Sequence, residues 1–282
     1  MDNIRVGHIN FLNVLPLTYS YKNGYDQDLS IMYDVPSALN EAIKSSRLDI
    51  SPVSSITYAR MSDELLLIPD ICIRADLDVE SIVLISRKPI EEIMNDKIIL
   101  TAKSATSHCL LKIIMTESYG AAPVYDIRHI NVDKPVHYDA VASLFIGDDA
   151  LYMYLNTPKD LYCYDMGKEW HKLTGRSMVY AVWTVRKDFA RNYPKLLQFA
   201  YDKILSGLEN GIKNKSAAIN SIINEKPFTY EILDHYLGGI IKWNLPEDAV
   251  ESLVTFYNLA YKLKLIDSVP PIEFADVARM CI

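Results

Sequence analysis

The chain has 282 residues, of which half are hydrophobic and 23% charged, and its 29 Lys and Arg against 36 Asp and Glu leave a net charge of −7. That length and balance suit a packed globular protein, either two modest lobes or one large α/β domain. Scattered rather than clustered Lys and Arg argue against a nucleic-acid partner, and no apolar stretch approaches the ~20 residues that cross a bilayer.

The N-terminus carries no basic stretch followed by an apolar run and a small-residue cleavage site, and a strand is expected from Ile4. The four cysteines, Cys72, Cys109, Cys163 and Cys281, are dispersed and form no C-x-x-C pair. Free thiols in a reducing compartment follow, so a cytoplasmic protein is expected.

In chain order, the first half alternates short β-rich runs with helical patterns. Strands are expected at 4–9, 30–35 and 49–53, with helices beginning near Val14, Pro36 and Ser55. Pro36 suits a first helical position, where its missing N–H is not needed. Such alternation predicts a parallel sheet with helices on its faces. Two extended runs follow, LLLIPDICIRAD and VESIVLISRKP, separated by an acidic turn. The second ends at Arg87-Lys88-Pro89, taken as the crossing to another lobe.

A second α/β unit then reads KIILT as a strand, 107–119 as a helix, and YDIRHI and AVASLFIG as strands. LYCYDM and MVYAVWTVRK close it, the latter as the return crossing. From Asp188 onward only helices are expected, at 189–212, 216–223, 230–240 and 246–263, from apolar spacings of three and four. The resulting architecture is α/β with two lobes. Residues 1–87 and 187–282 form lobe one, residues 88–186 form an inserted lobe two, and a ligand cleft lies between them.

The first 55 residues carry the main functional signal. IRVGHINFLNVLPLTY and RLDISPVSS each run from a strand into a polar turn and a new helix. Strand ends that bring uncharged hydrogen-bonding groups and helix N-termini to one sheet edge make a site for a small anion. DISPVSSITYAR has an echo in LTAKSATSHCLLKI, so Ser54 or Ser55 and Thr106 or Ser107 are expected at N-cap or first-turn positions on either side of the cleft. A single such cap is ordinary structure; a facing pair across a cleft leaves structure and anion binding as alternatives.

Familiar catalytic motifs are missing: no G-x-G-x-x-G after a strand, no Walker loop, no G-x-S-x-G elbow and no H-E-x-x-H. The six histidines form no pair with metal-ligand spacing, so neither a metal nor another cofactor is expected. His8 stands out because it shares a strand face with Asn10. Asn13 follows Phe11-Leu12 as a helix cap or a ligand contact. Asp148 and Asp149 complement a helix dipole or face a ligand hydroxyl. Trp170, Tyr180 and Trp183 are expected in packing rather than in ligand stacking.

Together, GHINFLNVLP, LDISPVSSITYA, ESIVLIS, SATS, FIGDDAL, YDMGKEWHKLTG and VYAVWTVR resemble the chorismate dehydratases of futalosine-dependent menaquinone biosynthesis. The resemblance runs in order from about Arg5 to Arg186, with a departure at Arg176-Ser177-Met178, where the family continues with Leu-Pro. It implies a fold like type 2 periplasmic binding proteins. It also implies the conversion of chorismate to 3-[(1-carboxyvinyl)oxy]benzoate and water by a hydro-lyase. On this reading Asn13 is the catalytic residue. Ser54, Ser55, Ser81, Thr106, Ser107, Gly147 and Asp148 bind the dicarboxylate substrate, and the chain is a monomer or weak homodimer.

The sister dihydroxynaphthoate synthases resemble the chain in fold. They carry a Cys-Pro-Asn-Asp segment where this chain has Phe11-Leu12-Asn13-Val14, and a catalytic His in the turn that here holds Gly147-Asp148. The remaining alternative is a non-catalytic solute-binding protein on the same scaffold.

Overall fold

A computed structural model of the protein describes residues 4–279. The first strands are β1 (Ile4–Ile9), β2 (Leu29–Asp34), β3 (Ile50–Ser54) and β4 (Leu65–Ala75). The next five are β5 (Ile82–Ser86), β6 (Lys97–Leu100), β7 (Val124–Ile127), β8 (Ala142–Ile146) and β9 (Tyr162–Asp165); β10 is Met178–Arg186. They form two five-stranded sheets, ordered β2-β1-β3-β10-β4 and β7-β6-β8-β5-β9. β1 runs parallel to β2 and β3, and β6 parallel to β7 and β8, while β10 and β5 are antiparallel to both their neighbours. β3 and β5 are buried along their whole lengths. That is why ISPVS and IVLIS show no polar face: a sheet covered by helices on both sides has none to offer water.

Both crossings differ from the sequence expectation. The IVLIS run pairs with β8 and β9, Ile82 opposite Ile146 and Val83 opposite Asp165, so β5 belongs to the second sheet. The chain therefore leaves the first sheet after Ala75 and crosses at 76–81. Arg87, expected at the crossing, sits within the second lobe, its guanidinium donating to the Val136, His137 and Ala140 carbonyls. The return crossing lies before β10 rather than along it, because β10 pairs with β3 and β4. One buried carboxylate organises the outward crossing. Asp165 accepts the Val79 and Glu80 N–H groups at 3.0 and 2.6 Å, and caps helix α6 (Met166–Thr174) through the Gly167 and Lys168 N–H groups.

The other helices are α1 (Leu15–Ser20), α2 (Pro36–Lys44), α3 (Ser55–Arg60), α4 (Thr106–Tyr119) and α5 (Gly147–Leu155). After β10 come α7 (Lys187–Asn192), α8 (Pro194–Lys213), α9 (Lys215–Asn220), α10 (Tyr230–His235) and α11 (Glu247–Lys262). The helix expected over 189–212 is two helices, broken at Tyr193 because Pro194 disfavours a helical residue before it. α8 packs close to α1: a Cβ at Gly211 would lie 1.9 Å from the Pro16 carbonyl oxygen, so only glycine lets the two backbones meet. Trp170 of α6 is fully buried, edge-on to Phe256 of α11 at 6.0 Å between centroids. This joins the second lobe to the C-terminal helices, as the packing expectation for Trp170 required. Among the described residues no helix is long and apolar enough to cross a membrane.

Candidate active site

A small cavity of about 60 Å³ lies between the sheets. It gathers the ends of β1, β3 and β8, the outward crossing, the α4 N-terminus and β10. Among the described residues lining it there is no Lys, Arg, His, Asp or Glu. Its polar groups are Asn13, Ser54, Ser81, Ser104, Thr106, Ser107 and Tyr180, set among Ile9, Phe11, Ile73, Val79, Ile82, Ile146 and others.

Asn13 lies in a 3₁₀ turn, Leu12–Val14, between β1 and α1, and caps no helix. Its backbone carbonyl accepts the Trp243 indole N–H at 2.8 Å, while its side-chain Oδ1 is shielded from solvent without a hydrogen-bond partner. A buried carbonyl oxygen left unpaired costs free energy, which makes Asn13 the candidate ligand contact of this cavity. Tyr180 shares that condition: its hydroxyl is buried and unpartnered. Burial, with Asp165, Tyr236 and Asp78 nearby, holds the phenol well above its ordinary pKa, so it remains a neutral donor. From sequence Tyr180 belonged to the core; its orphaned hydroxyl is a signal only the fold could supply.

Ser54 lines the cavity at the end of β3, its Oγ 2.8 Å from Thr57 Oγ1 and within reach of the Asn40 amide. Ser55, expected beside it, turns away. Its hydroxyl donates to the Val179 carbonyl at 2.7 Å and its carbonyl accepts from the Tyr257 hydroxyl at 2.9 Å. It ties α3 to β10 and α11 instead of facing a ligand.

Ser81 lines the cavity from the crossing; its Oγ accepts the Tyr236 O–H at 2.8 Å and its carbonyl accepts the Gly147 N–H. On the opposing side, Thr106 Oγ1 accepts the Ile56 N–H at 3.1 Å, bridging the two lobes. Ser107 pairs with Ser104, whose Oγ receives the Ser107 N–H. Ser104 thus supplies the hydroxyl that accepts a first-turn N–H of α4, while Thr106 and Ser107 occupy the first-turn positions expected of them. The S-x-x-S spacing of SATS was the available clue.

Gly147 lines the cavity with φ +67°, and a Cβ there would sit 3.0 Å from the Phe11 ring. Asp148 does not line it. Its Oδ1 accepts the Leu12 N–H at 3.1 Å and its Oδ2 meets Lys226 Nζ at 2.7 Å. Asp149 pairs with Lys103 at the surface. His8 is fully buried behind the site, bonded to Thr18 Oγ1 at 2.7 Å, and burial drives its pKa down to about 3. Asn10 is exposed at the end of β1. The unusual Arg176-Ser177-Met178 segment lies off the cavity: Arg176 pairs with Glu251, and the Ser177 carbonyl accepts from Trp170 and Ser252.

A sequence profile described as menaquinone biosynthesis matches residues 4–262. The chain belongs to this family. Its relatives include a chorismate dehydratase of Thermus thermophilus, 29% identical over 197 residues that span 65% of this chain and 70% of the relative. A chorismate dehydratase of Campylobacter jejuni is 27% identical over 203 residues, 67% and 73% of the two chains. Among solved structures, protein AF1704 of Archaeoglobus fulgidus superposes with a TM-score of 0.73 at 16% identity, covering 93% of this chain and 98% of that one. The aliphatic sulphonate-binding protein SsuA of Escherichia coli gives 0.66 at 11% identity, covering 95% and 90%. The chain therefore has a periplasmic-binding-protein-like fold, with the cavity between its two sheets.

Proposed function

We propose that this chain is a chorismate dehydratase, a hydro-lyase that converts chorismate to 3-[(1-carboxyvinyl)oxy]benzoate and water in menaquinone biosynthesis. The observation that carries the reading is the cavity itself: neutral donors and acceptors, an unpartnered Asn13 Oδ1, and no charged side chain among the described lining residues. The reaction removes the proton at the ether-bearing ring carbon and the hydroxyl of its neighbour. Together these make one water, and the ring becomes aromatic. With that driving force the protein must hold a geometry more than supply a strong acid or base.

Ser104, Thr106 and Ser107 at the start of α4, with Ser54 and Ser81 opposite, receive the two carboxylates. Helix N–H groups and hydroxyls bind anions without a countercharge. In a chain of net charge −7 long-range steering opposes an anionic ligand, so local neutral donors carry the affinity. Asn13 orients the enolpyruvyl ether or the leaving hydroxyl, Tyr180 donates to a substrate oxygen, and a carboxylate of the substrate itself takes the ring proton. Cys72, Cys109 and Cys163 are free thiols, which suits the cytoplasmic location proposed for the enzyme.

The test is incubation of the purified protein with chorismate, followed by chromatography of the products. Turnover that falls at least tenfold in Asn13→Ala and Ser107→Ala supports the reading. Chorismate that is bound but recovered unchanged would instead favour a binding protein, as SsuA is on this scaffold.

A further inference from the structure

Asp148 opens α5 in the second lobe, yet both groups on its carboxylate come from the first. The Leu12 N–H belongs to the 3₁₀ turn that carries Asn13. Lys226 follows a second short turn, Ile223–Glu225, in the C-terminal helical region. Next to this carboxylate the Phe11 ring packs on Gly147, where a Cβ would sit 3.0 Å from it and the ring would have to give. The turn holding Asn13 is therefore gripped from the second lobe at two points, its N–H by Asp148 and its preceding ring by Gly147. Neither grip can exist with the lobes apart.

We propose that Asp148 and Lys226 form a closure latch on the turn that carries Asn13, adding to the fixed Trp243 contact a second brace that exists only when the cleft is shut. The chemistry suits that task. A carboxylate is a stronger acceptor for a backbone N–H than a neutral group. Lys226 compensates the charge that closure partly withdraws from water, the two side chains remaining 35% and 24% exposed. Opening lets water take over all three groups, so the net hold is modest. A latch on an enzyme that must release product needs such a reversible grip, since lobe opening often limits turnover. The Ile56 N–H bond to Thr106 is a second cross-lobe contact, but it lies in the cavity, where a ligand would compete for it. The Asp148 latch lies outside the cavity and survives ligand binding.

The inference rests on the reading of Asn13 as the substrate-orienting residue, but the latch can be tested without turnover. Small-angle scattering on the full chain, free and with 3-[(1-carboxyvinyl)oxy]benzoate, compares wild type with Lys226→Met, Lys226→Arg, Asp148→Asn and Asp148→Ala. Lys226→Met and Asp148→Ala should expand the free protein measurably, and Lys226→Arg should restore the wild-type radius. In steady state, Lys226→Met should raise KM for chorismate about tenfold, with a smaller change in kcat. Asp148→Ala should lower kcat about tenfold as well, because the Asn13 turn loses its brace. Asp148→Asn, which keeps an oxygen for Leu12, should fall between them. Added salt should push wild type towards Lys226→Met and leave that variant unmoved.

Unchanged scattering radii in both Lys226→Met and Asp148→Ala would overturn the latch. So would loss of product binding in Asp148→Ala with Lys226→Met behaving as wild type, the pattern of a direct substrate contact. A wild type that never turns over chorismate refutes the dehydratase reading instead, and the scattering comparison then decides the latch alone.

Discussion

Replacing Tyr180 with Phe removes a single oxygen and keeps the ring, which makes it the cleanest probe of the cavity. The side chain is 7% exposed, and its hydroxyl has no hydrogen-bond partner among the described residues. In the unfolded chain that hydroxyl is hydrated. Folding therefore strips it of water without compensation, a cost of about 1–3 kcal/mol. Phe fills the same ring volume, so no cavity term offsets the gain. Tyr180→Phe should stabilise the ligand-free protein by about 1 kcal/mol, which for a chain of this size is roughly a 2 °C rise in Tm. The same change should damage function. If the phenol donates to a substrate oxygen, losing that bond should cut kcat/KM for chorismate by about tenfold, the equivalent of ~1.4 kcal/mol. A variant that gains stability while losing activity is the mark of a polar group kept for a ligand. Thermal and urea unfolding without ligand, followed by steady-state kinetics, measure both arms. A Tm that drops by two degrees or more would show that the hydroxyl is satisfied in the folded protein, and the argument for it as a waiting donor would fail.

Two other expectations follow from single residues. Gly147→Ala meets both the cost of φ +67°, about 1–2 kcal/mol for an L-residue, and the Phe11 ring 3.0 Å from the new Cβ. Unfolding free energy should fall by about 2 kcal/mol and KM for chorismate should rise; an unchanged urea midpoint would show that neither the backbone strain nor the Phe11 contact carries a cost. His8 has a folded pKa near 3 against about 6.5 when unfolded, so between those values the unfolded chain binds the extra proton. The stability His8 permits is complete above pH 6.5 and drains as pH falls towards 3, roughly 2 kcal/mol of it by pH 5. Urea midpoints at pH 7.5 and 5.0 should therefore converge in His8→Gln relative to wild type, and an equal acid loss in both proteins would remove His8 from the account.

What the sequence disclosed and what it hid divide by the range of the contacts involved. β1 and β3 were legible because each is an unbroken apolar run ending in polar residues, a pattern decided within about ten residues. The cavity was legible for the same reason, since it collects the ends of such runs. Ser54 and Ser55, one position apart, were not separable. Which of them faces the ligand is settled by the Val179 carbonyl and the Tyr257 hydroxyl, 124 and 202 residues further along the chain. The lobe crossing was misplaced because IVLIS has the composition of a buried strand in either sheet. Only its partners β8 and β9, some 60 to 80 residues away in sequence, assign it to the second. Arg87-Lys88-Pro89 looked like a linker on local grounds, yet the Arg87 guanidinium spans three carbonyls of the same lobe.

Asp148 shows the same limit at the site itself. An acid in the first turn of a helix after a strand can serve the helix, a ligand or a neighbouring chain segment, and the local pattern is identical in the three cases. Its actual partners, Leu12 and Lys226, lie 136 residues before it and 78 after it. They meet on one carboxylate because the two lobes face each other there. Asn13 is in the opposite position. Its neighbours in sequence made a helix cap the ordinary expectation, but the turn it occupies leaves Oδ1 with nothing to cap and nothing to bond. Of two residues expected at the ligand, Asp148 has its hydrogen bonds satisfied within the protein, while Asn13 keeps a side-chain oxygen without a partner. At this cleft the unsatisfied Asn13 oxygen is therefore a stronger pointer to a ligand than the Asp148 carboxylate, whose two oxygens are already engaged by Leu12 and Lys226.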